Sequence, residues 1–439
     1  MNHKLSMRSG AAAIFALALT ILSIPNRATA QTETILYNFN GDGYDGSPYQ
    51  PYSGVIFDSA GNLYGTTFQG GTNHGHGAVY ELSPIAGGGW SETTLYSFGE
   101  KKGSEEAYGP QANLVFDNAG NLYGARSTQG ADGDGMIFKL SPSGSGGWTE
   151  TGIVSFNSKN GNYPESALIM DSAGNLYGTT DWGGEYGEGT VFELSPTSGG
   201  WTEKVIHNFK RSKEDGENPA LGSLVMDAAG NLYGTTAGGG ANEDPVCQYG
   251  CGTVFEVSPT GDGHWTEKLL YSFDDNGTDG LFPGAGVILD AAGNLYGTTI
   301  QGGTGSCKIG KEVEGCGTLF ELSPAAGGTW TESILHSFQD NDTDGEYPQG
   351  GAGLTMDASG NIYGTTGLGG TYNKGTAFKF SPVEGGAWTE SILHNFDDNG
   401  TDGYEPATTL VLDSSGNIYG TTAAGGNNGS GGTVYEITP

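Results

Sequence analysis

The residues most able to do chemistry in this chain are its many carboxylates, a handful of histidines and four cysteines. Acidic runs recur ahead of glycine: Asn40-Gly-Asp42-Gly-Tyr-Asp45-Gly46, Asp274-Asp275-Asn276-Gly-Thr-Asp279-Gly280, Asp340-Asn-Asp342-Thr-Asp344-Gly345 and Asp397-Asp398-Asn399-Gly-Thr-Asp402-Gly403. Clustered hard oxygens suit calcium, and Asp340-x-Asp342-x-Asp344-Gly345 copies the opening of a helix–loop–helix calcium loop. The bidentate Glu of the twelfth position is replaced by Gly351, however, and the flanking segments read as strands. Asx-type turns, in which Asp and Asn bond their own backbone, account for the same residues. Calcium held by Asp340, Asp342 and Asp344 therefore stands as an expectation beside a purely structural turn, and no other cofactor is expected.

His74-Gly75-His76 offers two imidazoles with no third ligand nearby in sequence, and reads most simply as a solvated loop. Cys247-x3-Cys251 and Cys307-x8-Cys316 resemble no zinc spacing closely. In an exported chain they read as two local disulfides, since Cys251 and Cys316 each stand directly before a Gly-Thr-Val/Leu-Phe strand. A Gly-x-Ser-x-Gly elbow, a phosphate-cradling loop and a zinc-protease motif are all absent. The many Asp and Glu residues permit a carboxylate pair for glycoside chemistry, as any acidic chain would.

The elements that position these residues are repeats. Asp-x-x-Gly-Asn-Leu/Ile-Tyr-Gly occurs seven times, beginning at Asp58, Asp117, Asp171, Asp227, Asp290, Asp357 and Asp413. Each copy reads as four short strands, rich in β-branched and aromatic residues and punctuated by Gly, Pro and Asn. In the fourth copy strand A is expected at Ser223–Asp227, B at Asn231–Thr236, C at Thr253–Val257 and D at Glu267–Phe273. Strands such as Leu224-Val225-Met226 carry apolar residues on both faces, as sheets covered on both sides require. Glycine, 81 of 439 residues, then reflects tight turns, because there is no Gly-X-Y period and aromatics reach 11%.

The ends of the chain decide the architecture. The last repeat stops after its C strand, Gly432-Thr433-Val434-Tyr435-Glu436-Ile437, while an orphan D-like strand, Glu33-Thr34-Ile35-Leu36-Tyr37-Asn38-Phe39, precedes the first repeat. Joining the two gives an all-β, seven-bladed β-propeller with four strands per blade, and closure removes the open edges that invite aggregation. Residues 31–439 are expected to form this single domain.

Residues 1–30 read as a signal peptide: basic Lys4 and Arg8, an apolar run from Ala11 to Ile24, and an Ala28-Thr29-Ala30 cleavage site. The run is too short to span a bilayer comfortably. No later stretch suits a membrane helix, and the end at Thr438-Pro439 shows no hydrophobic tail. The expected location is secreted, periplasmic or extracellular, after cleavage near Ala30. Segment 1–30 holds three basic residues and no acidic one, leaving 14 Lys+Arg against 50 Asp+Glu, a net charge near −36. That field repels nucleic acid and anionic membranes and keeps the chain soluble, so a monomer is expected.

Gly-Asn-Leu-Tyr-Gly-Thr-Thr-x-x-Gly-Gly followed by Gly-Thr-Val-Phe-Glu-Leu resembles the GloVer tandem-repeat proteins of bacteria. The wording stands at Gly174–Thr180 with Gly189–Leu194, and at Gly293–Thr299 with Gly317–Leu322. The resemblance covers essentially the whole mature chain. It implies an exported bacterial protein of the kind called choice-of-anchor for its varied C-terminal sorting signals, and it implies no particular activity. Copy two departs from the pattern, with Ala125-Arg126 in place of Thr-Thr.

The Asp-x-x-Gly-Asn turns read as structural, and so do Trp90, Trp148, Trp201, Trp265, Trp330 and Trp388 in the C–D turns. His207, His336 and His394 stand where Tyr96 and Tyr271 stand in other D strands, and read as structural too. The D–A and B–C loops share the opposite face, vary in length, and carry Trp182, His74, His76 and the cysteines. Variable loops on a rigid scaffold commonly carry binding residues. The expected function is a non-enzymatic binding or surface-interaction propeller that uses this face, with Trp182, His74, His76 and Arg126 as candidate contacts. An extracellular glycan or a cell-surface protein is the expected kind of partner. The alternative is a polysaccharide-active hydrolase or lyase, with carboxylates joined by one of Arg126, Lys210, Arg211 or Lys213.

Overall fold

The computed structural model describes residues 31–438 except 41–46, 73–74, 100–108, 145, 220–221, 243–245, 310–311, 314, 349–352, 407, 428 and 430. The expected signal segment, Asp42, Asp45, His74 and Gly351 lie outside the described residues. Gln31–Pro439 forms one compact unit.

The repeat wording turns into structure within each blade. In blade 3 Asp171 Oδ1 accepts from the amides of Ala173 and Asn175, and its Oδ2 from the Asn175 side chain and the Tyr177 hydroxyl. Gly174 takes φ 86° here, the left-handed region that only glycine adopts freely. The turn hands the chain to strand B, Leu176–Thr180, which pairs antiparallel with strand C, Thr190–Thr197, and C pairs with D, Gly200–Asn208. Gly178 lies opposite Phe192, and a Cβ on it would stand 2.7 Å from the ring, so Tyr-Gly is the pairing surface for the C-strand aromatic.

Seven such sheets form a seven-bladed β-propeller. In blade 7 the strand Thr32–Asn38 pairs antiparallel with Thr433–Thr438, so the N-terminal strand completes the last blade as expected. The A strands are shorter than expected. Blade 4 keeps Val225–Met226 of the anticipated Ser223–Asp227, because Asp227 is drawn into the turn by its four hydrogen bonds. Strand B runs longer, Leu232–Gly239, and strand D starts earlier, Trp265–Ser272, where Trp265 pairs with Pro259.

The core lies between blades. Each of seven apolar clusters joins two neighbouring sheets, as Val191 and Phe209 of blade 3 meet Leu232, Phe255 and Val257 of blade 4. The Phe that ends each D strand stacks on the C-strand aromatic of the next blade. Centroids lie 5.1 Å apart for Phe98–Phe138, Phe209–Phe255, Phe273–Phe320 and Phe396–Tyr435. Burying one such ring contributes roughly 1.5–3 kcal/mol. Nearer the axis, Thr235 Oγ1 donates to Ala285 O at 2.8 Å across the blade 4–5 boundary.

Candidate functional site

The end of the propeller formed by the A–B and C–D turns is consumed by packing. The C–D Trp of one blade stands edge-on to the strand-B Tyr of the preceding blade: Trp201 on Tyr123, Trp265 on Tyr177, Trp330 on Tyr233 and Trp388 on Tyr296. The structural reading of those Trp residues holds.

At the opposite end the loops are braced. D–A and B–C loops of the same blade pair with each other, Gly280–Leu281 with Gln301–Gly302, Gly345–Glu346 with Leu368–Gly369, and Gly403–Tyr404 with Ala424–Gly425. Sequence periodicity does not reveal these ribbons, which hold loop side chains on a firm base. Both expected disulfides, Cys247–Cys251 and Cys307–Cys316, lie buried in the B–C loops of blades 4 and 5.

All five aromatic side chains exposed among the described residues sit on this face: Tyr163, Trp182, Tyr186, Tyr249 and Tyr372. Four of them belong to blades 3 and 4. Trp182 and Asn162 exchange backbone hydrogen bonds at 2.8 and 3.1 Å, which docks the B–C loop against the loop bearing Tyr163. Arg211 lies 4.3 Å from the Tyr249 ring centroid and reaches Glu217 at 2.6 Å and Glu188 at 3.6 Å.

Next to Trp182 in sequence is Asp181, which forms with Glu165 a carboxyl pair absent from the expected site. Asp181 follows the end of strand B in blade 3, and Glu165 follows Pro164 just before strand A. Burial, then the charge of Asp181, pushes Glu165 up to about 7, against a hydrogen bond from Ser127. Burial pushes Asp181 up to about 6, opposed by hydrogen bonds from Trp182 and Asn218. Burial thus holds both carboxyls above the usual carboxylate range. One signal could have revealed it: Ala220, Gly284 and Ala407 stand at the place of Glu165 in later blades.

The other expected contacts fall elsewhere. Arg126 is buried in a cavity of about 410 Å³ between blades 1 and 2, lined also by Tyr96, Phe98, Gln129, Met136 and Glu150. Its guanidinium lies 4.5 Å from the Phe98 centroid and donates to Gln129 Oε1 at 2.7 Å. Burial lowers it to about 10, with Glu150 and Tyr96 opposing. His76 is buried rather than solvated, and its backbone forms a bridge with Gly70.

The acidic loops turn inward. Asn341 Oδ1 accepts from the amides of Thr343 and Asp344, the expected Asx geometry, while Asp342 adopts φ 60°. Asp344 is buried. Its Oδ1 accepts from the Gly345 amide, and its Oδ2 accepts from the Gln339 amide and meets His336 Nε2 at 2.9 Å. Asp344 therefore groups with His336 and with Glu390 from the next blade rather than with Asp340 and Asp342. The grouping repeats as His207, Asp215 and Glu267, and as His394, Asp402 and Glu33. Between blades 4 and 5 Tyr271 takes the histidine's place and donates to Asp279 at 2.8 Å. Burial first, then the neighbouring Asp, raises the seam glutamates, to about 8 for Glu267 and about 7 for Glu33, Glu332 and Glu390. Burial acts to lower His336, but Asp344 and Glu390 raise it overall.

These seven repeat units are what comparison with known families recognises. The Gloeobacter/Verrucomicrobia repeat matches residues 20–245, 102–309 and 308–439. The chain belongs to that family. A search of curated proteins finds no match. Among solved structures, this GloVer-repeat protein is similar to the extracellular domain of the putative hybrid two-component system BT4673 from B. thetaiotaomicron. The TM-score is 0.52 and the identity 10%, over 92% of this chain and 39% of that one. A luciferin-regenerating enzyme aligns with TM-score 0.41 and 13% identity over 74% of this chain and 90% of its own. At these identities the likeness to BT4673 is one of fold, and this chain spans well under half of that protein's length. Among the described residues no helix is long and apolar enough to cross a membrane.

Proposed function

We propose that this GloVer-repeat propeller is an exported binding module that takes a glycan on the D–A and B–C face of blades 3 and 4. The observation that carries the reading is the placement of Tyr163, Trp182, Tyr186 and Tyr249, exposed on one face, while the C–D Trp residues at the other end are half-buried. Aromatic rings offer flat apolar surface to the C–H face of a sugar, and the carboxyl groups of Glu165 and Asp181 offer acceptors for its hydroxyls. Two disulfides and an N-terminal segment of signal-peptide form support export. Screening soluble oligosaccharides by calorimetry or glycan array tests the reading. Trp182→Ala and Tyr186→Ala each weaken the best ligand about tenfold or more, on the order of 1.4 kcal/mol. Binding unchanged in the double variant sinks it.

A second reading, a polysaccharide-active hydrolase or lyase, is favoured by one observation, two neighbouring carboxyls, Glu165 and Asp181, that burial holds above the usual carboxylate range. Two carboxyl groups held at different protonation suit general acid–base work. Release of reducing ends from a bound glycan, abolished by Glu165→Gln with binding retained, would establish it. Binding without product release leaves the module reading.

A further inference from the structure

We propose that the His336–Asp344–Glu390 and His394–Asp402–Glu33 clusters each bind a divalent first-row transition metal, probed here as zinc, clamping the outer strands of neighbouring blades. His336 Nε2 lies 2.9 Å from Asp344 Oδ2 and 3.8 Å from Glu390 Oε2, and His394 Nε2 lies 2.9 Å from Asp402 Oδ2. In both clusters one ligand atom from each residue lies within 4.8 Å of the other two. Zinc sits about 2.0–2.2 Å from imidazole nitrogen and carboxylate oxygen, which sets tetrahedral ligands about 3.4 Å apart. At His336 the observed separations bracket that spacing, and at His394 the ligand atoms lie within 4.8 Å of one another, so small side-chain shifts complete each site. One imidazole and two carboxylates cancel the charge of the ion. A nitrogen ligand favours zinc and its neighbours over calcium, which prefers oxygen alone.

A second observation points the same way. Asp402 is more than nine-tenths buried, yet among the described residues its Oδ1 meets no hydrogen-bond donor, and neither does Oε1 of Glu33 or of Glu390. A bare buried carboxylate oxygen is costly, and a cation within the cluster removes that cost. The aspartates are already oriented: Asp344 Oδ2 accepts from the Gln339 amide and Asp402 Oδ2 from the Asp397 amide, both at 3.0 Å. Such outer hydrogen bonds fix carboxylate ligands in metal sites.

The remaining seams supply the contrast. Glu332 and Glu203 also carry a bare Oε1, but their partners are Tyr271 with Asp279, and Asn160, so no imidazole is present. His207, Asp215 and Glu267 make a complete set. There the charge of Lys210 acts on Glu267 and opposes a cation, so this third site is weaker.

Zinc chloride is titrated into the purified, chelator-stripped full chain by calorimetry, with thermal melting in parallel. Two tight equivalents per chain and a third weaker one are expected, with melting raised at saturation. His336→Gln and His394→Gln each lower one tight affinity tenfold or more, and the double variant removes both. Tyr271→Phe leaves the stoichiometry unchanged, and calcium does not substitute. Circular dichroism without metal checks each fold, and Glu390→Gln replaces His336→Gln if that variant fails to fold. No saturable zinc binding, or a stoichiometry indifferent to these substitutions, overturns the proposal.

Discussion

Phe39 stands edge-on to Tyr80, their ring centroids 5.1 Å apart. Phe39 follows the first strand of the chain, and Tyr80 lies in strand C of blade 1, so this contact joins blade 7 to blade 1. The same pairing at the blade 6–7 boundary is Phe396 with Tyr435. The N-terminal strand therefore serves two interfaces, the Thr433–Thr438 edge that it covers and the core of the next blade.

Deleting residues 31–39 removes both. The bare edge of Thr433–Thr438 becomes a template for pairing with other chains. Aggregation or a large fall in melting temperature is expected, read by light scattering and calorimetry. A truncated chain that remains monomeric with unchanged melting refutes the closed ring.

The turn aspartates give a prediction with a pH sign. Asp227 accepts two backbone amides, the Asn231 side chain and the Tyr233 hydroxyl. Burial acts to raise its pKa, but these donors outweigh it, and the carboxyl ends below its usual 3.8. Its stabilisation is present above the unfolded value and is lost as pH falls through the folded one. Asp227→Ala is expected to cost about 1–3 kcal/mol in urea unfolding at pH 7, with a smaller difference at pH 2–3. Equal midpoints at pH 7 contradict the role.

The repeat count, the four strands per blade and the closing strand were all legible in sequence, because each rests on residues that recur at one position in the blade. The seam clusters were not. Their histidine and aspartate lie eight residues apart, but the glutamate arrives from the next blade, as Glu390 does to His336 and Asp344. The spacing of Asp340, Asp342 and Asp344 groups them as one candidate calcium loop, whereas the Asn341 turn sends Asp344 into the seam. Glu165 and Asp181 meet only because folding brings two loops of one blade together. Trp182 was legible as a candidate because it lies in a loop set that varies in length from copy to copy.

The seam between blades 4 and 5 predicts the opposite pH trend. Burial and the charge of Asp279 push Glu332 up to about 7 from 4.5, and Tyr271 and Asp274 also act in that seam. The folded state therefore holds a proton that the unfolded state releases. This contribution is full below about pH 4.5 and is lost as pH rises through about 7. Glu332→Gln, which keeps the shape without the charge, is expected to flatten the decline in urea midpoint between pH 5 and 8. A variant with the same pH slope as the parent shows that Glu332 is ionised at no cost.

The acidic loops are expected to respond to cations as counterions. The chain carries a net charge of −33, so self-repulsion destabilises the compact state at low ionic strength, and any salt screens it. Asp344 already accepts from the Gly345 and Gln339 amides and meets His336, which leaves Asp340 and Asp342 as the outer carboxylates of that loop. Two carboxylates fall short of the six to eight oxygens calcium takes. Calcium and magnesium should then raise the melting temperature alike, slightly beyond sodium at equal ionic strength. A true site would behave differently: binding to the native state alone stabilises by about 2.7 kcal/mol at a hundredfold excess over Kd, and it saturates. Magnesium would lag, because it demands a tighter octahedral shell. A saturable, calcium-selective shift that Asp340→Asn with Asp342→Asn removes would make this loop a calcium site after all.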